Sequence, residues 1–290
     1  MVKFITDSAS DITKEDELEY NIEVMPIPIT IGDDGYYERV DFTPSEFYKK
    51  LLNSAQIPVT SHITMLEFGN KYKEFYKLGY NEIIHVTISS TGSSMYESAK
   101  MARELFYKED ESLRQKIKIH VIDSKTYSYG YGLAVVQAAK MARAGRTVTE
   151  ILEYLVDYFN RVEVYFSVCS LNYAKKSGRI GVAATFVGEL LGLRPVISII
   201  DGKMKVVDKV RGCKNIPEKL FNIMEERISS ESGKYGIIVG NIETVGKDLE
   251  NICKKFKQGE CVGVVKAGAS IAINSGPEVL GLTFLGECRK

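Results

Sequence analysis

The sequence predicts two α/β domains: an N-terminal one on a largely parallel sheet flanked by helices, and a C-terminal one on a mixed sheet with helices. Three observations carry this prediction. Strand-like apolar stretches alternate with helix-like ones almost throughout, the pattern of sheets whose strands are joined by crossover helices. The chain has 290 residues, more than one core usually supports, since single cores rarely grow beyond about 250 residues. A fresh strand–helix series containing its own hairpin starts near residue 162, so the divide falls within residues 145–165 and gives domains of 1–160 and 161–290.

In the first half, strands are expected at residues 2–6, 82–88 and 118–123, and helices near 14–20, 44–52, 66–78, 94–107 and 131–143. Thr43-Pro44-Ser45-Glu46 and Thr64-Met65-Leu66-Glu67 read as capping boxes, in which Thr and Glu each satisfy a backbone N–H of the first turn; Pro44 suits the first helical position. Gly32-Asp33-Asp34-Gly35, between residues 27–31 and Tyr36-Tyr37, reads as an antiparallel excursion. Arg143-Ala144-Gly145-Arg146 ends one helix, and Thr147-Val148-Thr149-Glu150 caps the next.

The second half opens with a strand at 162–168. A hairpin follows over 195–200 and 204–210, turning at Asp201-Gly202, a pair that accepts the positive φ of a tight hairpin turn. Helices at 216–227 and 244–256 flank a strand at 235–240, and strands at 261–266 and 280–284 finish the chain.

Composition bounds the function. Apolar residues make up 44% and charged residues 26%, an ordinary soluble globular balance. Lys+Arg and Asp+Glu are equal at 38 each, so no basic excess points to nucleic acid. No segment is long and apolar enough for stable membrane insertion, and residues 1–7 enter a strand without the apolar core of a signal peptide. The five cysteines, Cys169, Cys213, Cys253, Cys261 and Cys288, are odd in number and widely spaced, which suggests reduced thiols and a cytoplasmic location.

Several chemistries find little support. His62, His85 and His120 are scattered without ligand spacing, so no metal is expected, and no other cofactor. Neither glycine-rich nucleotide fingerprint is present. The strand-end serines lack a nucleophile elbow, and the nearest histidine in sequence, His62, directly follows Ser61.

What stands out is a repeated placement of hydroxyls. Apolar stretches run into Thr6-Asp7-Ser8, Thr60-Ser61, residues 89–94 (Ser-Ser-Thr-Gly-Ser-Ser) and Asp123-Ser124. Ligands of open α/β sheets collect outside the carboxyl ends of the strands, and hydroxyls with helix N-termini behind them suit a carboxylate or phosphate. Each cluster alone also reads as a helix cap or turn former.

Taken with further motifs, these residues resemble the DegV family of bacterial fatty-acid-binding proteins over essentially the whole chain. The resemblance rests on Ile5-Thr6-Asp7-Ser8, Val40-Asp41, Thr60-Ser61, Ile88-Ser89-Ser90 with Ser93, Tyr96-Glu97-Ser98-Ala99, Asp123-Ser124, Ser177-Gly178-Arg179-Ile180, Arg194-Pro195, Asp201-Gly202 and Gly276-Pro277. It implies a non-enzymatic carrier with a long-chain fatty acid between the two domains, presented to a partner such as a fatty acid kinase for phospholipid synthesis.

By matching position, the resemblance puts Thr60, Ser61, Ser93, Asn274 and Ser275 on the carboxylate, since a buried carboxylate needs several donors to offset desolvation. Asp41, His62, Arg179 and Arg211 would serve the head group or partner docking, although Arg179 also reads as a charge at a helix C-terminus and Asp41 as a residue merely preceding a cap. The acyl tunnel would draw on Phe186, Leu190, Ile197, Ile199, Ile271 and Ile273. Burying roughly 14 methylenes at about 0.8 kcal/mol each supplies on the order of 11 kcal/mol before the costs of association.

The chain departs from the family pattern at Asn274, where the family has histidine, and at Glu278, where it has glycine; Ser94 and Met95 replace its Ser-Gly-Thr step after Ser93. Asparagine still donates to a carboxylate but carries no proton charge, which bears on phosphorylation of the ligand. The alternatives are a small-molecule hydrolase or phosphotransferase using the same hydroxyls, and a lipid-sensing regulatory protein.

Overall fold

In the computed structural model, which describes residues 1–186 and 192–287, the alternating pattern resolves into three sheets. The first unit is β1 (Val2–Asp7), α1 (Lys14–Glu19) and β2 (Ile22–Met25). A small antiparallel sheet follows, made of β3 (Pro28–Ile31), β4 (Asp34–Tyr37) and, after α2 (Pro44–Asn53), β5 (Val59–Thr60). The chain then returns through α3 (Met65–Lys77), β6 (Glu82–Thr87), α4 (Met95–Glu109), α5 (Leu113–Lys116) and β7 (Lys118–Asp123). It leaves through α6 (Tyr129–Arg143) and α7 (Val148–Arg161). The order β2-β1-β6-β7 is parallel at every step, and its direction reverses beside β1, the type of switch point at which a crevice opens.

The second domain contains β8 (Val162–Val168), α8 (Asn172–Ser177), α9 (Gly181–Ala184), β9 (Leu193–Ile200) and β10 (Lys203–Arg211). It continues with α10 (Ile216–Arg227), β11 (Lys234–Val239), α11 (Glu243–Cys253), β12 (Glu260–Lys266), α12 (Ala269–Ser275) and β13 (Val279–Leu285). Its order is β10-β9-β8-β13-β11-β12, with only the β11–β12 pair parallel, so the sheet is mixed.

Local rules explain much of this. All three Thr-x-x-Glu boxes form: Thr43, Thr64 and Thr147 each accept the N3 amide, while Glu46, Glu67 and Glu150 bond back to the cap. Asp201 and Gly202 have φ of 50° and 71°, the paired left-handed turn that matches strand twist. Close approach accounts for Gly132: a Cβ there would lie 2.2 Å from the Ser10 carbonyl, so only glycine lets α6 press against the turn after β1.

Four features differ from expectation. β2 was not foreseen, since a four-residue stretch interrupted by Glu23 is held as a strand only by pairing with β1. The hairpin turns at Gly32-Asp33, so Asp34 and Gly35 belong to β4. The stretch before Thr60-Ser61 joins β3 antiparallel instead of entering the parallel sheet. Finally, Cys169 and Cys213 are placed as a disulfide with Cα atoms 5.5 Å apart, against the expectation of reduced thiols; Cys253 and Cys261 are free.

The domains meet through α12, a short helix the sequence did not announce. Although it belongs to the second half of the chain, Ala269, Ala272 and Ile273 pack with Ile29, Phe42, Phe47, Tyr48 and Leu51 beneath the small sheet. Tyr48 Oη donates to the Ala267 carbonyl at 2.9 Å.

Candidate functional site

A cavity of about 480 Å³ opens where the three sheets converge, within the range that encloses a small organic ligand. Its polar end takes residues 92–95 from the turn after β6 and the start of α4, Thr60 from the end of β5 with Ser61, His62 and Thr64 after it, and Tyr127 and Ser128 just before α6. Across from these stand Ser270, Asn274 and Ser275 of α12, and Arg179 between α8 and α9. The apolar end is the face of the mixed sheet: Val164, Phe166, Ile199, Met204, Ile238, Val279 and Gly281, with Ile180 and Ile271.

The hydroxyls divide by where their protons point. Ser128 donates to Asp11 Oδ2, and Ser270 donates to Glu38 Oε2 at 2.5 Å. Thr64 donates to Glu67 at 2.7 Å, and Ser275 donates to the Ile271 carbonyl at 2.8 Å. These four offer lone pairs to a ligand. Ser93 Oγ accepts the Met95 amide at 3.3 Å and keeps its proton. The side chains of Thr60, Ser61 and Ser94 have no hydrogen-bond partner among the described residues, so they stay free to donate. Asn274 uses one amide hydrogen on the Ser270 carbonyl at 2.7 Å and retains a second.

Behind this wall lies a buried acidic layer. Asp7 accepts from Tyr131 Oη at 2.6 Å, the Ile88 amide at 2.9 Å and the Ala9 amide at 3.2 Å, tying the end of β1 to the end of β6. Asp11 accepts the Gly268 amide at 2.8 Å, and Glu38 accepts the Ser270 amide at 2.9 Å together with Ser8 Oγ at 2.6 Å. Two N-terminal carboxylates therefore grip the first turn of α12, the helix that carries Asn274 and Ser275. Burial pushes the Asp7 carboxyl up to about 6 and the Asp11 carboxyl up to about 8, against hydrogen bonds that favour their charged forms.

Of the residues expected at the head group, Thr60, Ser61, His62, Ser93, Arg179, Asn274 and Ser275 line this one cavity. Asp41 and Arg211 do not line it: exposed Asp41 accepts the Tyr37 amide at 2.6 Å, and exposed Arg211 ends β10. Ile199 and Ile271 line the apolar end. Ile197 and Phe186 lie in and against the cluster beneath it, whereas Ile273 faces α2 from the opposite side of α12. Leu190 falls outside the described residues.

Only two of the four hydroxyl clusters reach the cavity. Thr6, Asp7 and Ser8 are buried, while Asp123 accepts from the Ser90 and Lys125 amides and Ser124 donates to the Thr126 carbonyl. Ser128, Ser270 and the strand residues Val164, Phe166, Ile238 and Gly281 escaped the sequence reading. β8 is buried at every position, so no alternation marks its cavity face.

The other histidines are engaged elsewhere: His85 Nδ1 lies 2.7 Å from Tyr72 Oη, and His120 pairs with Glu82 at 2.8 Å. Burial pushes His85 down to about 3. Among the described residues, no group of three or more His, Cys, Asp or Glu is arranged to hold a metal, and no helix is long and apolar enough to cross a membrane.

The family model described as uncharacterised protein, DegV family, matches residues 1–287. The chain belongs to the DegV family. A DegV domain-containing protein of Clostridium acetobutylicum is 30% identical over 294 residues, covering 99% of each chain. A DegV lipid-binding protein from Thermotoga maritima is 26% identical with a TM-score of 0.84, covering 100% of this chain and 99% of its own. A second Thermotoga maritima structure, described as revealing fatty acid binding function, is 25% identical with a TM-score of 0.81, covering 98% and 99%. In this DegV chain the shared architecture brings the free hydroxyls of one domain against the apolar sheet face of the other.

Proposed function

We propose that the chain binds one long-chain fatty acid between its two domains and presents the head group to a partner, with a fatty acid kinase acting in phospholipid synthesis as the expected recipient. The carrying observation is the shape of the cavity's chemistry. One end supplies unspent hydroxyl protons at Thr60, Ser61, Ser93 and Ser94; the other is a sheet face of Val, Phe, Ile and Met. That pairing fits an amphiphile with a compact anionic head and a long apolar tail. The Thermotoga maritima relatives described as lipid-binding and as fatty-acid-binding support the reading.

In this reading Thr60, Ser61 and Ser93 donate to the carboxylate, the remaining Asn274 N–H adds a fourth donor, and Ser275 is an acceptor neighbour. Charged donors and acceptors make hydrogen bonds roughly twice as strong as neutral ones. Arg179 and His62 stand at the rim, where a partner delivering or removing a charged group would meet them. The protein performs no turnover of its own in this scheme.

Denaturing extraction of the purified protein followed by lipid mass spectrometry tests the proposal. One equivalent of long-chain acid is expected. An empty cavity that palmitate and oleate neither fill nor stabilise would falsify it. Incubation with a fatty acid kinase and ATP then tests the partner: the expected product is acyl phosphate on the bound lipid.

A further inference from the structure

The sheet whose face floors the cavity carries two glycine notches: a side chain fills the one at Gly236, while the one at Gly281 lines the cavity. Cross-strand partners in a sheet project to the same face, so the register defines rows of side chains. One row passes through Val164, Thr283 and Gly236; the next passes through Phe166, Gly281 and Ile238. Above Gly236 the aromatic ring of Tyr129 occupies the gap: a Cβ there would lie 2.7 Å from Tyr129 Cδ1, and at Gly263, in the adjoining strand, 2.3 Å from Tyr129 Oη.

Gly281 differs. The three atoms nearest to a Cβ at this position are Phe166 Cβ at 3.2 Å, the Tyr165 carbonyl oxygen at 3.3 Å and Ile238 Cβ at 3.7 Å, all from the flanking strands. Among the described residues, these three nearest atoms belong to the sheet and not to a covering helix, and Phe166, Gly281 and Ile238 all line the cavity. Protein interiors are packed like organic crystals, so a notch left open on a ligand cavity is space for the ligand.

We infer that Gly281 is a selectivity element: the acyl chain settles over it between Phe166 and Ile238, and the depth of this notch sets the longest acid the cavity takes. The inference rests on the fatty acid reading above and assigns a limit on chain length to one residue. Gly281 does not have a left-handed φ, so alanine meets no backbone penalty there. Its methyl requires the neighbouring strands to give by a few tenths of an ångström.

The test is a titration of stearate and dodecanoate against delipidated wild type, G281A and G281L, with unfolding midpoints measured alongside. Each methylene kept out of apolar surroundings is worth about fourfold in affinity. If G281L displaces two or three methylenes of stearate, its affinity falls ~15–60-fold, while dodecanoate stays within about twofold. G281A shifts stearate by about fourfold and keeps the test alive if G281L does not fold. Adding Phe166→Ala to G281L restores stearate by reopening space beside the notch. Unchanged stearate affinity, or an equal loss for both acids in folded variants, overturns the inference and leaves fatty acid binding standing. A wild type that binds neither acid sinks the underlying reading as well.

Discussion

The two ends of the cavity are built by opposite rules. At the polar end, segments from both domains converge, and what each contributes depends on the direction of a single proton. Ser93 and Ser275 are both cavity serines, yet Ser275 spends its hydrogen on Ile271 while Ser93 keeps its own. At the apolar end one sheet supplies most of the wall, and what matters is volume, because dispersion and burial have no direction. In the proposed function, head-group recognition would therefore be sensitive to small rotations and to the carboxyl groups behind the hydroxyls. Tail recognition would answer mainly to size.

The strongest way to break this contrast is to remove the support behind the polar end. Glu38→Ala strands Ser8 Oγ, Ser270 Oγ and the Ser270 amide, three buried donors that each cost about 1–3 kcal/mol when unpaired. The expected loss of stability is therefore ~3–9 kcal/mol in urea unfolding. Glu38→Gln retains an acceptor oxygen and should lose less than half as much. Equal stability of the wild type and Glu38→Ala would show that the grip on α12 is dispensable.

A change of pH probes the same layer without mutation. Asp11 has a folded-state carboxyl at about 8 against an ordinary value of 3.8. Its stabilising contribution is complete below the unfolded value and is lost as pH rises through 8. Asp7, at about 6, follows the same sign over a lower window. His85 has the opposite sense: its neutral burial favours folding above about 6.5 and is lost as pH falls towards 3. Between pH 7 and 9 the decline should therefore belong mainly to Asp11 among these three, with a slope of at most about 1.4 kcal/mol per pH unit. Denaturant melts of wild type and Asp11→Asn across that window should show a steeper decline in the wild type.

Smaller effects sharpen the assignment of donors. Ser93→Ala and Thr60→Ala should each weaken carboxylate binding by ~1.5–3 kcal/mol, the usual worth of a hydrogen bond to a charged group, read by titration with palmitate. Ser275→Ala, which removes a proton already committed to the helix, should change affinity by less than about threefold. Equal losses at Ser93 and Ser275 would mean that the hydroxyls rearrange on binding.

How much of this was legible depended on how far apart the deciding residues lie in the chain. Thr43 and Glu46 decide a helix start within one turn, and Asp201-Gly202 decides a hairpin from within the turn itself. Residues near the cavity were also found at two of the strand-like stretches that end in a hydroxyl cluster, at Thr60-Ser61 and Ser93. The same rule overshot at Thr6-Asp7-Ser8, buried where Asp7 and Ser8 bond Tyr131, Ile88 and Glu38, and at Asp123-Ser124, whose side chains satisfy neighbouring backbone. It was silent on Phe166, Ile238 and Gly281, which lie on strands covered on both faces. It did not foresee α12, a seven-residue helix gripped by Asp11 and Glu38.

By itself, then, the sequence determined the alternation of strands and helices, the capped helix starts, the β9–β10 turn and the family, because each is written in contacts between near neighbours or in a pattern along the whole chain. Only the tertiary structure decided which hydroxyl protons face the cavity, which face of β8 floors it and which glycine notch stays open. Those outcomes depend on groups brought together from distant segments: Glu38 beside Ser270, and Tyr129 over Gly236 but not over Gly281. No local periodicity records such meetings, since a strand buried on both faces has the same composition whichever face meets the ligand.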